Sequence, residues 1–142
     1  MENYSIEVVD KLSEDTQQQI EREHLEYEKE HDVNTNCKTF AIIIKNKSDN
    51  IIGALSAYTF CAEAYVDDLW VSKKHRSKGL GRKLLMELKN RFKDKGFNNI
   101  NLVTSEFQAP EFYKKFGFVE ELLRTGHSHG TSFHYMKLDL KK

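Results

Sequence analysis

Val71-Ser72-Lys73-Lys74-His75-Arg76-Ser77-Lys78-Gly79-Leu80-Gly81-Arg82-Lys83-Leu84-Leu85 joins an apolar strand to an amphipathic helix through a loop with two glycines. The amides from about Ser77 to Arg82 open the helix and have no partners inside it. Gly79 and Gly81 let the main chain approach a ligand with no Cβ in the way. A diphosphate suits such a turn, because negative charge is favoured at the positive end of a helix dipole. The spacing Arg76-x-x-Gly79-x-Gly81 lacks the Gly-Lys-Ser/Thr ending of a P-loop and the third glycine of the dinucleotide fingerprint. By itself it reads equally as a helix start with two turn glycines. The helix that follows is expected from Gly79 to about Lys95. Leu80, Leu84, Leu88 and Phe92 fall at intervals of four, Leu85 joins their face, and Gly96 stops the run.

A second motif lies about thirty residues on, after a short strand at residues 99–104. It reads Phe107-Gln108-Ala109-Pro110-Glu111-Phe112-Tyr113-Lys114-Lys115-Phe116-Gly117-Phe118, with Pro110 suited to the first turn of a short helix. The two motifs, in this order and at this spacing, resemble the GNAT superfamily of acetyl-CoA-dependent N-acetyltransferases. Ala109, Tyr113, Lys115, Gly117 and Phe118 fall on its A-x-x-x-Y-x-K-x-G-F pattern. The resemblance covers roughly residue 51 to the C-terminus and is similar in detail to small bacterial members with no single assigned substrate.

The resemblance implies a set of roles. Arg76, Ser77, Lys78, Gly79, Leu80, Gly81 and Arg82 would cradle the pyrophosphate end of coenzyme A. Leu69, Trp70 and Val71 would bind the pantetheine arm as a pseudo-strand, by the logic of β-augmentation, and one amide there would face the thioester carbonyl. Tyr113 would stand beside the sulfur and protonate the departing thiolate. The family often has Asn seven residues before the tyrosine, contacting the coenzyme. Here Glu106 stands there, and Gln108 is the candidate substitute. Phe112 and Phe118 read as packing.

The 142 residues, 39% hydrophobic and 31% charged, suit a single domain spanning 1–142 with a real core. No apolar run approaches the roughly 18 residues of a membrane span, and the start Met1-Glu2-Asn3-Tyr4 does not read as a signal peptide, so a cytoplasmic location without membrane contact is expected. Net charge is zero, yet acids dominate residues 14–32, whereas residues 73–95 hold ten Lys or Arg against Glu87 and Asp94. The balanced total argues against nucleic acid as the partner. Cys37 and Cys61 fit no metal or redox spacing and read as free thiols, so direct transfer in a ternary complex is favoured over an acyl-enzyme. No metal is expected.

Residues 4–9 alternate apolar and polar as a first strand would, and Ser13 can cap a helix over residues 14–31 with a thin stripe of Ile20, His24 and Tyr27. In the resembled family this region borders the acceptor, which makes Tyr27 a candidate contact. Residues 40–44 and 51–60 form a hairpin about the turn 46–50. A strand over 64–72 enters the diphosphate loop, and strands 118–123 and 133–140 close the fold around the loop 124–132. The expected class is α/β, a mixed and mostly antiparallel sheet of about seven strands flanked by about four helices.

An amine attacks a thioester only as free base, and an alkylammonium with pKa near ~10 is almost fully protonated at neutral pH. Asp67 and Asp68 are the candidate bases, and pleat alternation should send them to opposite faces. Polyamine-type members of the superfamily carry a carboxylate matching Asp67, which places it first. His127, His129 and His134 cluster near the tail; two histidines in a Gly-rich turn fit solvent better than metal, and His127 or His129 could instead line the acceptor pocket. The acidic first helix hints at a cationic acceptor. The leading reading is transfer of acetyl from acetyl-CoA to a primary amine of a small molecule. A protein lysine or N-terminal acetyltransferase is the alternative within the enzymes, and a non-catalytic acyl-CoA-binding module the alternative outside them. A homodimer stays open.

Overall fold

Ser13 accepts a hydrogen bond from the Thr16 amide at 3.2 Å and starts the helix α1, Glu14–Glu30, as expected of a serine at that position. Glu14 and Asp15 in the first turn and Lys29 in the last complement its dipole. The computed structural model describes residues 2–141, which fall into two compact units, one ending at Thr35 and the other beginning at Asn36. Residues 4–9 are not a strand: Tyr4, Ile6 and Val8 stay exposed. Alternation alone cannot make a strand when no neighbour takes its N–H and C=O groups.

The second unit opens with β1, Lys38–Lys45, and β2, Ile51–Phe60, an antiparallel hairpin. Its turn is tied by the Asn46 side chain, whose Oδ1 accepts from the amides of Ser48 and Asn50 at 3.0 Å each. Next come β3, Glu63–Val71, a single 3₁₀ turn Lys73–His75, and the helix α2, Leu80–Phe92. α2 ends three residues before the expected Lys95, because Lys93 is already extended and the turn through Asp94 and Gly96 takes positive φ. β4, Asn99–Ser105, a 3₁₀ turn Glu106–Gln108 and the short helix α3, Pro110–Phe116, carry the second motif. β5, Val119–Arg124, a 3₁₀ turn Ser128–Gly130 and β6, Phe133–Asp139, complete the chain.

Among the described residues there are thus six strands and three α-helices, one strand and one helix fewer than expected. The sheet order is β1-β2-β3-β4-β6-β5, antiparallel throughout except for β3 against β4. Its buried face is set by register. Ala64 lies beside Ile100, Ile100 beside Leu138, and Leu102 beside Met136, so period-two apolar residues of three strands form one surface. Leu84, Leu85, Leu88 and Phe92 of α2 join these residues in the core, as the spacing of four predicts, while Leu80 stays half-buried. Each such leucine contributes about 1.5–3 kcal/mol by burial.

Two irregularities shape the cleft. β3 and β4 pair only over Glu63–Asn99, Ala64–Ile100 and Tyr65–Asn101, then part, leaving the β4-facing edge of β3 from residue 66 onward without a strand neighbour. Opposite, β2 meets β3 through a bulge: Ala57 pairs with Val66 and Ser56 with Asp68, so Asp67 is the extra residue.

Candidate active site

Where β3 and β4 separate, the cleft is lined by residues 66–71 on one side and by Leu102, Val103 and Thr104 on the other, with Phe107, Gln108, Ala109 and Tyr113 closing it. A second groove runs from Leu69 and Val71 past His75, Arg76, Ser77 and Gly79 to Leu80, Gly81 and Arg82. Leu69, Val71, Arg76, Gln108, Ala109 and Tyr113 line both, so the two are continuous. Their volumes of about 420 Å³ and about 650 Å³ are of ligand size.

At the groove's far end α2 begins at Gly79, whose φ of 78° is left-handed and whose absent side chain leaves open space around it. No side chain caps this end, and its first helical bond runs from the Lys83 amide to the Gly79 carbonyl at 3.1 Å. The amides of Leu80, Gly81 and Arg82 therefore have no helical partner and suit an anion. Gly81 plays a different part from the one expected of it: a Cβ there would come 3.2 Å from Phe112 Cζ, so its bareness serves the packing of α2 on α3. Arg76 folds back so that its Nε donates to the Val71 carbonyl at 3.1 Å. The Arg82 guanidinium lies 5.5 Å from the Phe116 ring centre. Lys78 lines neither groove.

Tyr113 sits on α3 between Phe112 and Phe118, ring centres at 5.1 Å and 5.8 Å, both edge-on. Burial, and secondarily the charge of Asp68, hold its phenol above its ordinary pKa of 10, so it carries its proton at neutral pH. Asp67 and Asp68 both line the cleft, as do their neighbours from Val66 to Val71. The bulge that inserts Asp67 breaks the pleat there.

Ala109 holds a left-handed φ of 74° at the start of α3, and Pro110 follows at the first helical position. Gln108 spends its Oε1 on Ser105, accepting from the Ser105 hydroxyl at 2.9 Å and amide at 3.3 Å, which leaves its Nε2 as the end able to meet a ligand. His127 and His129 belong to the 3₁₀ turn region before β6, are exposed, and line neither groove; the His127 ring rests 4.3 Å from that of Phe133. Tyr27 is exposed on α1, its ring 4.3 Å from that of His31. His75 was not among the residues expected from sequence, although it stands inside the quoted loop. It lines the second groove, hydrogen-bonded through Nδ1 to Ser72 Oγ at 2.6 Å. Thr104, Phe107 and Phe112 also line the grooves, and nothing in their local spacing marks them.

Over residues 8–140 the sequence matches the family described as an acetyltransferase (GNAT) domain. An acetyltransferase from Bacillus cereus ATCC 14579 is similar at 28% identity over 94% of this chain and 98% of its own, with a TM-score of 0.75. A candidate streptothricin acetyltransferase from Bacillus anthracis, solved in complex with acetyl coenzyme A, is 25% identical over 71% of this chain and 62% of its own, TM-score 0.63. The ribosomal-protein-S18-alanine N-acetyltransferase from Escherichia coli shares the fold, at 19% identity over 82% of this chain and 77% of its own, TM-score 0.63. None of the curated proteins matches the chain. Strands that part beside a helix with bare N-terminal amides, a half-buried protonated tyrosine at their mouth, and a family match over nearly the whole length lead to one conclusion: the chain belongs to the GNAT family of acetyltransferases, acyltransferases that act with acetyl-CoA.

Proposed function

We propose that the chain transfers the acetyl group of acetyl-CoA to a primary amine of a small, cationic molecule by direct attack. The observation that carries this reading is the presence of two carboxylates, Asp67 and Asp68, in the same cleft as the protonated phenol of Tyr113. Acetyl-CoA supplies an activated acyl carbon and a thiolate leaving group. The residues fit it: the free amides of Leu80, Gly81 and Arg82 would take its diphosphate, with Arg76, Ser77 and His75 alongside. The unpaired edge of β3 at Leu69, Trp70 and Val71 would take the amides of its arm.

A base must remove the proton of the amine, and an acid must deliver one to sulfur. Asp68 is assigned the base role ahead of Asp67, reversing the order expected from sequence, because its charge reaches the phenol that would stand by the sulfur. Asp67, on the bulge, is left to hold the cationic amine in place, with Trp70 beside it. Tyr113 keeps its proton at neutral pH and would give it to the thiolate as charge develops there. A small acceptor is favoured because carboxylates and aromatic groups converge within one cleft of ligand size. The test is a panel of polyamines, aminoglycosides, amino-acid amines and lysine peptides, followed by coenzyme A release, with wild type beside Tyr113→Phe. Turnover confined to small amines and lost in the variant is the expected result. Turnover of peptides alone would overturn it.

A further inference from the structure

The three tail histidines do not form one cluster. His127 and His129 are exposed, whereas His134 lies on β6 at 7% exposure, beside Thr104 in the sheet register. Its ring joins two carboxylates from separate elements. Nε2 meets Glu106 Oε1 at 2.6 Å, and Nδ1 is hydrogen-bonded to Glu120 Oε1. A carboxylate only accepts, so donating to two of them at once takes a proton on each ring nitrogen, the imidazolium form. Such charge-assisted bonds are roughly twice as strong as neutral ones.

Glu106 opens the turn whose next three residues, Phe107, Gln108 and Ala109, line the cleft and lead into the helix of Tyr113. The turn's other polar ties are local: Ser105 to Gln108, and a long contact of 3.5 Å from Thr104 Oγ1 to the Gln108 carbonyl. We propose that His134 is a positioning residue: by bridging Glu106 to Glu120 it anchors the turn 106–109 to the sheet and so holds the coenzyme-facing wall of the cleft in its binding geometry.

The charged groups facing His134 are Glu106 from the turn and Glu120 from β5, while its β4 neighbour Thr104 brings only a hydroxyl. The hydrogen bond that His134 donates to Glu120 leads in holding the imidazole above its ordinary pKa of 6.5, opposed by burial and aided by Glu106. When pH rises through that raised value the ring keeps one proton shared between two acceptors, so the Glu106 link that ties the turn is lost in the tautomer protonated at Nδ1. Coenzyme affinity should therefore decline on the alkaline side.

The inference rests on acetyl-CoA being the acyl donor, and its test uses coenzyme A binding, which needs no acceptor. Calorimetric affinity is measured from about pH 6 to about pH 9 for wild type, His134→Gln, Glu106→Gln and Glu120→Gln, across the range where imidazole titrates. His134→Gln and Glu106→Gln should bind about tenfold more weakly at neutral pH, the loss expected of one charge-assisted bond, and their affinity relative to wild type should converge as pH rises. Glu120→Gln, which spares the turn's own link, should lose less. Nitrogen-15 spectra of the His134 ring should show both nitrogens protonated at pH 7. Unchanged affinity and pH dependence in Glu106→Gln, an exposed position whose variant should fold, would overturn the proposal, as would a neutral ring at pH 7. Wild type failing to bind coenzyme A would instead remove the donor reading beneath it, a failure visible without any variant.

Discussion

The ring of Phe112 occupies the space that a side chain on Gly81 would need: a Cβ built there stands 3.2 Å from Phe112 Cζ. Through this contact α2 meets α3, the helix that carries Tyr113, since Phe112 packs edge-on against Tyr113 at 5.1 Å between ring centres. Gly81→Ala should gain up to about 1 kcal/mol of helix propensity and lose a similar amount to crowding. Stability should thus change little, while the rate falls about tenfold because Phe112 must move and carries Tyr113 with it. Thermal unfolding and coenzyme A release measured on the same preparation check both halves. A rate equal to wild type would remove the coupling.

Tyr113→Phe should leave folding intact and lower kcat by about 10²–10⁴-fold, the usual worth of a positioned acid. Since burial and Asp68 hold the phenol above pH 10, its titration should not contribute a falling limb to the rate below that pH. Asp68→Asn removes a negative charge that favours the protonated phenol, so the Tyr113 titration should move down. Ultraviolet titration of wild type and of Asp68→Asn, each with the Tyr113→Phe titration subtracted, reports that shift.

Asp67 and Asp68 share a cleft but are assigned different work. Asp68→Asn should mainly lower kcat, by about 10²-fold, whereas Asp67→Asn should mainly raise the apparent KM for a cationic amine. Steady-state kinetics with the best amine of the panel separates the two. An inverted pattern would return the base role to Asp67.

At the closed end of the cleft, where β3 and β4 do pair, the Tyr65 hydroxyl donates to Glu63 Oε2 at 2.6 Å and Asn99 Nδ2 to Glu63 Oε1 at 2.9 Å. The Tyr65 bond, followed by that from Asn99, holds the Glu63 carboxyl below its ordinary pKa of 4.5, and the same contact pushes the Tyr65 phenol up to about 12. A carboxyl with a depressed folded pKa stabilises above its unfolded value and loses that contribution as pH falls through the folded one. Wild type should therefore lose stability below about pH 4.5, and Tyr65→Phe, destabilised by about 1–2 kcal/mol at neutral pH, should show a shallower acid loss. Urea unfolding at several acid pH values measures both.

Local chemistry explains why so much of the fold was legible. Ser13, Gly79, Pro110 and the leucines spaced by four act within one turn of their own helix, and the starts of α1, α2 and α3 follow from them. Residues 4–9 were misjudged, and the bulge at Asp67 was not foreseen, for the opposite reason. A strand exists only if a neighbour takes its hydrogen bonds, and the face of a side chain depends on the register across the sheet, which the bulge at Asp67 alters.

The sequence by itself determined the family, the helix start after Gly79 and the place of Tyr113 on a short helix after Pro110, because each is written in residues close along the chain whose backbone demands are short-range. The tertiary structure alone decided that β3 and β4 part after three pairs, that a bulge falls at Asp67, and that His134 ties Glu106 to Glu120 across 14 and 28 residues. Those relations are made by packing between segments remote in sequence, where no spacing rule reaches.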